Sequence, residues 1–453
     1  MIATRIRIGL SWLFAAGCLL AICFATQGPA AASDQVAGQW YKGNTHAHTL
    51  WSDGDELPEL VVDWFKSRGY QFLAISDHDR LMEGEQWKPI GGEKRNAPPA
   101  SIENAKVRFG EESVVVRGEG ANRQVKLRTF AELKAKFDEP GKFLMIENEE
   151  IGTRWHEPNE DPKKKAPHQN VHMNAINLKE VIQAVSGTSA LETINLNAAN
   201  VASQAERLQR PILTQLNHPN WSYFDISAED VAQASGIKFF EVCNGGGAGL
   251  YNEGDAIHPS TDKLWDVANT IRIAKMKMAP LFGVAADDSH RYHEFSAQNA
   301  NPGRAWIVVR AKELAVEAIL DAMSRGDFYA STGVVLKDVS YDADNRVVQV
   351  AVQPEPDVHY TIEFVGTLDG ADTACELIAP APDAKGKSPG RRYSPEVGKV
   401  LASAQGESAS YKLTGKELYV RAIVRSDKPA TNPISPKMAM QQAWCQPVGW
   451  EGR

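Results

Sequence analysis

Between Trp40 and about Gly333 the chain alternates short apolar runs with amphipathic stretches of helical period, and this rhythm restricts the fold more than any other feature. Leu57, Leu60, Val61, Trp64 and Phe65 recur at helical spacing, Gly69 stops the helix, and residues 72–75 read as a buried strand. The same unit returns as a helix over 130–137 with a strand over 143–146, then 190–208 with 212–216, and 228–234 with 238–242. It returns again as 262–277 with 281–285, and a last strand over 305–309 precedes a helix near 313–324. Strand–helix units in series imply an α/β fold on a parallel sheet, and this many favour a closed or nearly closed barrel.

Residues 83–128 break the rhythm. Gly91, Gly92, Pro98 and Pro99 read as loop, and the alternation near Val114–Val116 and Val125–Leu127 predicts a hairpin, so an inserted flap beside the site is expected. After Gly333 the helical period disappears, and 347–352, 359–365 and 418–424 read as strands between Pro, Gly and Asp turns. A chain of 453 residues exceeds one core of common size. The expected organisation is a leader over 1–32, an α/β barrel over 33–335 and a small all-β sandwich over 336–453.

The leader has Arg5 and Arg7, then a nearly uncharged apolar run over 8–25, then Ala30, Ala31 and Ala32 before Ser33. That is the pattern of a cleaved export signal, which would make the protein periplasmic or secreted with no membrane span left after cleavage. A retained anchor or a lipoprotein is the alternative, although Cys18 and Cys23 each lie in a context that misses one expected position. Cleavage would leave Cys243, Cys375 and Cys445; no C-x-x-C pair exists, and Cys375 with Cys445 could form a disulfide. The net charge of −8 and the lack of a long basic run argue against nucleic-acid binding, and Lys163–Lys165 reads as a solvated loop.

Chemistry gathers where the apolar runs end. In NTHAHT, His46 and His48 are spaced to face one side of a strand. Asp53 follows in WSDGD, then Asp77, His78 and Asp79 in SDHD, and Glu147, Glu149 and Glu150 in ENEEIG. VHMNAIN brings His172, LNHPN brings His218, and AADDSH brings Asp287, Asp288 and His290. Any one of these has an ordinary structural explanation, but chance rarely sets ligand-type residues at successive strand ends, where barrel enzymes carry their sites. Imidazole and carboxylate without thiolate suits zinc, manganese or iron, and the number of candidates suits two or three divalent ions.

The ordered series NTHAHT, WSDGD, SDHD, ENEEIG, HMNAIN, NHPN and DDSH resembles the polymerase and histidinol phosphatase (PHP) family over residues 40–335. The resemblance implies a distorted (βα)7 barrel. It implies that His46, His48, Glu150 and Asp288 hold one metal ion, and that Asp53 and His78 hold a second with Glu150 bridging. His172, His218 and His290 would hold a third. The family's Pro-Gly turn before its glutamate is replaced here by Glu147-Asn148-Glu149-Glu150; Glu150 is chosen for its place before Ile151, with Glu149 the alternative.

Such a cluster suits hydrolysis of a small-molecule phosphate ester by metal-activated hydroxide. Arg291 is a candidate phosphate contact, His293 or Asp79 a candidate proton donor, and Asp77 a candidate support for a ligand imidazole. The same site could instead cleave a carboxylic ester, carbamate or amide, and a non-catalytic surface-binding protein is a third reading. No G-x-S-x-G elbow, P-loop or dinucleotide fingerprint occurs.

Overall fold

The computed structural model describes residues 38–156, 168–221, 226–247, 252–379 and 389–452. The proposed leader and the Lys163–Lys165 segment lie outside the described residues. Within them, no helix is long and apolar enough to cross a membrane.

In chain order the first half comprises β1 (Gln39–Asn44), α1 (Pro58–Ser67), β2 (Phe72–Ile75), β3 (Trp87–Pro89), α2 (Pro99–Phe109), β4 (Val116–Arg117), β5 (Gln124–Lys126) and α3 (Phe130–Phe137). There follow β6 (Leu144–His156), β7 (His168–Ile176), α4 (Ala190–Leu208), β8 (Leu213–Leu216), α5 (Ala228–Gln233), β9 (Phe239–Asn244), α6 (Thr261–Ile271) and β10 (Phe282–Ala286). Then come β11 (Trp306–Ala311), α7 (Val316–Ser324) and β12 (Phe328–Ser331). Helix starts are set locally: Pro58 opens α1, Thr129 and Glu132 form a capping box on α3, and Ser189 and Ser260 cap α4 and α6.

Strands β10-β9-β8-β7-β6-β2-β1 are neighbours in one mixed sheet. The pairs β1–β2, β2–β6, β8–β9 and β9–β10 are parallel, whereas β6–β7 and β7–β8 are antiparallel. A wholly parallel sheet was expected, and the interval 157–167 explains the difference. It is shorter than a crossover helix requires, so β6 and β7 pair directly, from Asn148 with Ile176 to His156 with His168. At the two ends of this seven-strand run, the segments following β1 and β10 meet in a parallel bridge between Ala47 and Ser289. The amide of Asp288 donates to the His46 carbonyl and that of His48 to the Ser289 carbonyl, each at 2.9 Å.

An apolar cluster gathers Phe72, Ile146, Ile176, Phe239, Val284 and Ile307 from strands of this sheet. Burying each such side chain stabilises the fold by roughly 1.5–3 kcal/mol. The polar residues lie further along the same strands, so one end of the curled sheet is core and the other is free for chemistry.

Residues 83–128 hold a hairpin, β4 with β5, to which β3 adds on the other edge. They also hold α2, which the sequence reading took for loop because of Pro98 and Pro99; Pro99 instead occupies the first helical turn, where its missing N–H costs nothing. Ala97, Ile102, Ala105 and Leu127 of this segment share a core with Val61 and Phe65 of α1.

Beyond Gly333 the described residues form strands and one short 3-10 turn: β13 (Leu336–Asp342), β14 (Val347–Val352), β15 (Tyr360–Leu368), β16 (Cys375–Ile378) and β17 (Gly390–Tyr393). They continue with β18 (Lys399–Gln405), β19 (Ser408–Lys412), β20 (Glu417–Pro429) and β21 (Met440–Cys445). The large sheet runs on from β1 through β11-β12-β21-β20-β15-β18, and β13-β14-β19 forms a second sheet. Val348, Val350 and Val352 of the second sheet pack with Ile362, Phe364, Val420 and Val424 of the first.

The disulfide that Cys375 and Cys445 could have formed is not made: both cysteines are free. Cys445 is buried opposite Tyr329, whereas Cys375 lies opposite Tyr393 in the separate β16–β17 ribbon, so each thiol belongs to a different apolar cluster. Cys243 is buried.

Candidate metal centre

The segments that follow β1, β2, β8 and β10 converge on Glu150 of β6. Strand alternation turns Glu150 inward and Glu149 away. The Glu149 carboxylate accepts from the Ile182 amide at 2.9 Å, and burial lifts it to about 8. Glu150 Oε2 lies 3.2 Å from His46 Nε2, from His48 Nε2 and from His78 Nδ1. Its Oε1 lies 3.1 Å from His172 Nδ1 and 3.3 Å from His218 Nε2, and accepts from Asn217 Nδ2 at 2.9 Å.

Asp288 completes the first set. Its Oδ1 lies 3.2 Å from both His46 Nε2 and His48 Nε2. Asp288 has φ 48°, a left-handed conformation in which its backbone N–H donates to the His46 carbonyl. The turn after His48 folds back so closely that a Cβ on Gly54 would come within 2.6 Å of the His48 carbonyl oxygen, so only glycine fits there.

Among the described residues, three groups place their ligand atoms close enough to share a metal ion: His46, His48, Glu150 and Asp288; His48, Asp53, His78 and His290; and His78, Glu150 and His172. His290 therefore stands with Asp53, Nε2 to Oδ1 at 3.2 Å, and not with His172 and His218. His218 is close to Glu150 and has Asp288 Oδ2 at 3.9 Å.

The first group passes a test of fit. His46 Nε2, His48 Nε2, Glu150 Oε2 and Asp288 Oδ1 are all buried, and none makes a hydrogen bond. Each unsatisfied group costs about 1–3 kcal/mol, so four converging ones are tolerable only if something else satisfies them. Electrostatics agree. Burial lowers the His48 imidazole, yet the Asp288 and Glu150 carboxylates outweigh it and raise the group to about 10. His46 is raised in the same way, burial again opposing Asp288, Glu150 and Glu241. Glu150 and Asp288 are held low against the effect of burial by the surrounding imidazoles, His46 foremost. The cluster calls for positive charge, and a divalent cation is the species that these nitrogen and oxygen donors suit.

Around the groups lies a cavity of about 470 Å³, lined by Asp53, His78, Glu150, His172, His218, Asp288 and His290, with Trp221, Gln298 and Asn299 among its walls and Lys94 and Arg291 supplying cationic side chains. Lys94 comes from the 83–128 segment, which thus borders the cavity. Trp221 packs against the rings of His172 and His218, at 5.5 and 5.4 Å between centroids.

Arg291 reaches this cavity, with Nη1 3.6 Å from Asp55 Oδ2. His293 and Asp79 are not among its lining residues. His293 Nε2 is engaged by Glu56 at 3.3 Å and by Ser101 Oγ at 3.2 Å, while Asp79 is exposed and accepts from the Gly152 amide at 2.9 Å. Asp77 reaches its imidazole indirectly: it takes the Ser52 hydroxyl at 2.6 Å, and Ser52 Oγ lies 3.4 Å from His48 Nδ1. Asn244 Nδ2 contacts Asp288 Oδ2 at 3.2 Å. Asp287 points the other way, into the amides of Gly303, Arg304 and Ala305, and burial lifts it to about 6.

The sequence reading missed Glu241, Trp221 and Lys94. Glu241 had a usable signal, a carboxylate inside the apolar run of β9, whereas Lys94 and Trp221 stand in segments with no period to orient them.

No protein-family model matches this sequence, and no curated protein does. Among solved structures, a two-domain protein from Bacteroides vulgatus ATCC 8482 containing a predicted PHP-like metal-dependent phosphoesterase is 14% identical, with TM-score 0.36 over 92% of this chain and 98% of that one. A protein of Bifidobacterium adolescentis ATCC 15703, named as a candidate metal-dependent phosphoesterase, is 13% identical, with TM-score 0.26 over 55% of this chain and 87% of that one.

Proposed function

We propose that this chain is a metal-dependent hydrolase of PHP type that cleaves a small phosphate ester with the help of two or three divalent ions. The observation that carries the reading is the convergence of His46 Nε2, His48 Nε2, Glu150 Oε2 and Asp288 Oδ1, buried and without hydrogen bonds. These four residues would hold one ion; Asp53, His78 and His290 a second; His172 and His218, with Glu150 shared, a third. Zinc, manganese and iron all suit the donors, and such ions supply Lewis acidity toward water and toward a phosphoryl oxygen.

The protein's own residues do the rest. Glu150 is shared by the first and third of these sets and stands 3.2 Å from His78 of the second, and Asn217 holds its second oxygen in place. Lys94 and Arg291 give the cavity an attraction for anions, and Trp221 offers an apolar wall to the leaving group. Neutral acyl substrates would gain little from those cations, which favours the phosphate ester over the carboxylic ester, carbamate or amide. We further propose that residues 1–32 direct export, and that 33–335 form the catalytic unit with 336–453 as its β-rich companion.

The test is metal analysis of the purified protein together with a panel of chromogenic phosphomonoesters, phosphodiesters and acyl esters. Bound metal with turnover of a phosphate ester is expected. Turnover of acyl esters alone would replace the phosphoesterase reading, and failure to take up zinc, manganese or iron would end the metallohydrolase reading altogether.

A further inference from the structure

We propose that Glu241 is a positioning residue for the metal group built on His46, fixing the tautomer of that imidazole and tying together three ligand-bearing segments. The proposal rests on the metal-centre reading above. Glu241 belongs to none of the three ligand groups, is 0% exposed, and pairs with no lysine or arginine among the described residues. A carboxylate so placed is costly unless its surroundings use its charge.

All its contacts run to the centre. Oε1 lies 3.0 Å from His46 Nδ1 and 3.4 Å from Gln215 Nε2. Oε2 accepts from the backbone amide of His218 at 2.7 Å and from Asn244 Nδ2 at 2.8 Å. Asn244 Nδ2 in turn reaches Asp288 Oδ2 at 3.2 Å. One carboxylate on β9 therefore holds His46 after β1, His218 after β8 and, through Asn244, Asp288 after β10.

The chemical consequence falls on His46. In the neutral ring that a metal ligand must be, Nδ1 carries the proton and donates it to the Glu241 carboxylate, which leaves the lone pair of Nε2 facing Glu150 and Asp288. No other imidazole of the centre has its second nitrogen against a buried carboxylate from outside the ligand groups. That of His48 meets Ser52 Oγ at 3.4 Å, and Nδ1 of His290 meets the Asp288 carbonyl at 2.8 Å.

Glu241→Gln is isosteric and separates these roles from mere packing. A carboxamide has one acceptor oxygen. Its NH2 must face either the amide donors of His218 and Asn244 or Nδ1 of His46, where it would drive the ring to the tautomer that blocks Nε2. The experiment takes the full chain, strips metal with a chelator, and titrates Zn2+ against a chromophoric competitor, alongside thermal unfolding without metal. The expected result is a folded Glu241→Gln protein whose tightest Zn2+ site is weakened by about 10–100-fold. A folded variant whose Zn2+ affinity stays within about twofold of the unaltered protein would overturn the proposal. Should Glu241→Gln not fold, Glu241→Asp, which keeps the charge but shortens the reach, decides in its place: about fivefold or greater weakening supports the role, and unchanged affinity overturns it. Failure of the unaltered protein to bind Zn2+, Mn2+ or Fe2+ would instead count against the metal centre itself, and is seen before any variant is made.

Discussion

Asp53 Oδ1 and His290 Nε2 meet at 3.2 Å, although one residue follows β1 and the other follows β10. Their approach depends on the two segments being joined at Ala47 and Ser289, and on the Asp55 amide donating to the His290 carbonyl at 2.9 Å. If this pair holds an ion distinct from the one at His46, Asp53→Asn should remove about one equivalent of bound metal and leave the other ions in place. Activity should fall by at least the ~100-fold that changes outside the ligand sphere can reach. Elemental analysis and kcat on the same sample decide it; full metal content with normal turnover would dissolve the grouping.

Lys94 belongs to the 83–128 segment, is exposed, and stands at the same cavity as Arg291. Reversing its charge should repel an anionic ester during encounter without touching the ligand atoms. Lys94→Glu is expected to lower kcat/KM for a phosphate ester by about tenfold at low salt, mostly through KM, with the deficit shrinking as ionic strength rises. Equal loss at low and high salt would mean that Lys94 acts by structure and not by field.

The candidate ligands were legible in the sequence because strand ends can be found from period and punctuation, and most ends carry a His, Asp or Glu; the runs over 238–242 and 305–309 are followed instead by Cys243-Asn244 and by Arg310. What could not be read was the partition of that inventory. His290 pairs with Asp53 because the segments after β1 and β10 close on each other, a contact between the ends of the run that no local pattern encodes. Glu150 over Glu149 follows from alternation along β6 once the strand is known to run to His156; the apolar run alone ends at Ile146, too early to orient either residue. The antiparallel β6–β7 pair was hidden for the same reason. Glu241 and Arg421 look like interruptions of apolar strands, and only tertiary partners give them a purpose.

Arg421 on β20 is 1% exposed and links the C-terminal strands to α6. Its Nε and Nη2 donate to Asp266 at 2.8 and 2.7 Å, Nη2 also reaches Asp262 at 3.0 Å, and the guanidinium lies over Trp265 at 4.7 Å. Arg421→Ala would leave Asp266 buried beside Tyr419 without its hydrogen-bonded cation, Lys263 acting on it only through the field. Breaking a buried pair from one side typically costs about 3–5 kcal/mol, so a fall in Tm of several degrees is expected. Asp266→Asn made together with Arg421→Met should recover part of it, and a double variant no better than the single one would refute the pairing argument.

Glu59 offers a prediction in pH. It lies in the first turn of α1, where a carboxylate is ordinarily favoured, and Arg128 Nε is 3.6 Å away, yet it is 2% exposed. Burial outweighs both attractions and raises the group from its ordinary 4.5 to about 7. A folded-state value above the unfolded one means that the native protein holds a proton that the unfolded chain has released. Stability on this account is full below about pH 4.5, falls as pH rises toward about 7, and stays reduced above it. Glu59→Gln cannot ionise and escapes that loss. At pH 8 the variant should be the more stable by up to about 3 kcal/mol, less whatever the Arg128 contact contributes, and the two proteins should unfold together near pH 4.5. Chemical denaturation at both pH values measures the difference directly, and an advantage for Glu59→Gln that grows toward acid would show that the carboxylate is native-state charged and stabilising.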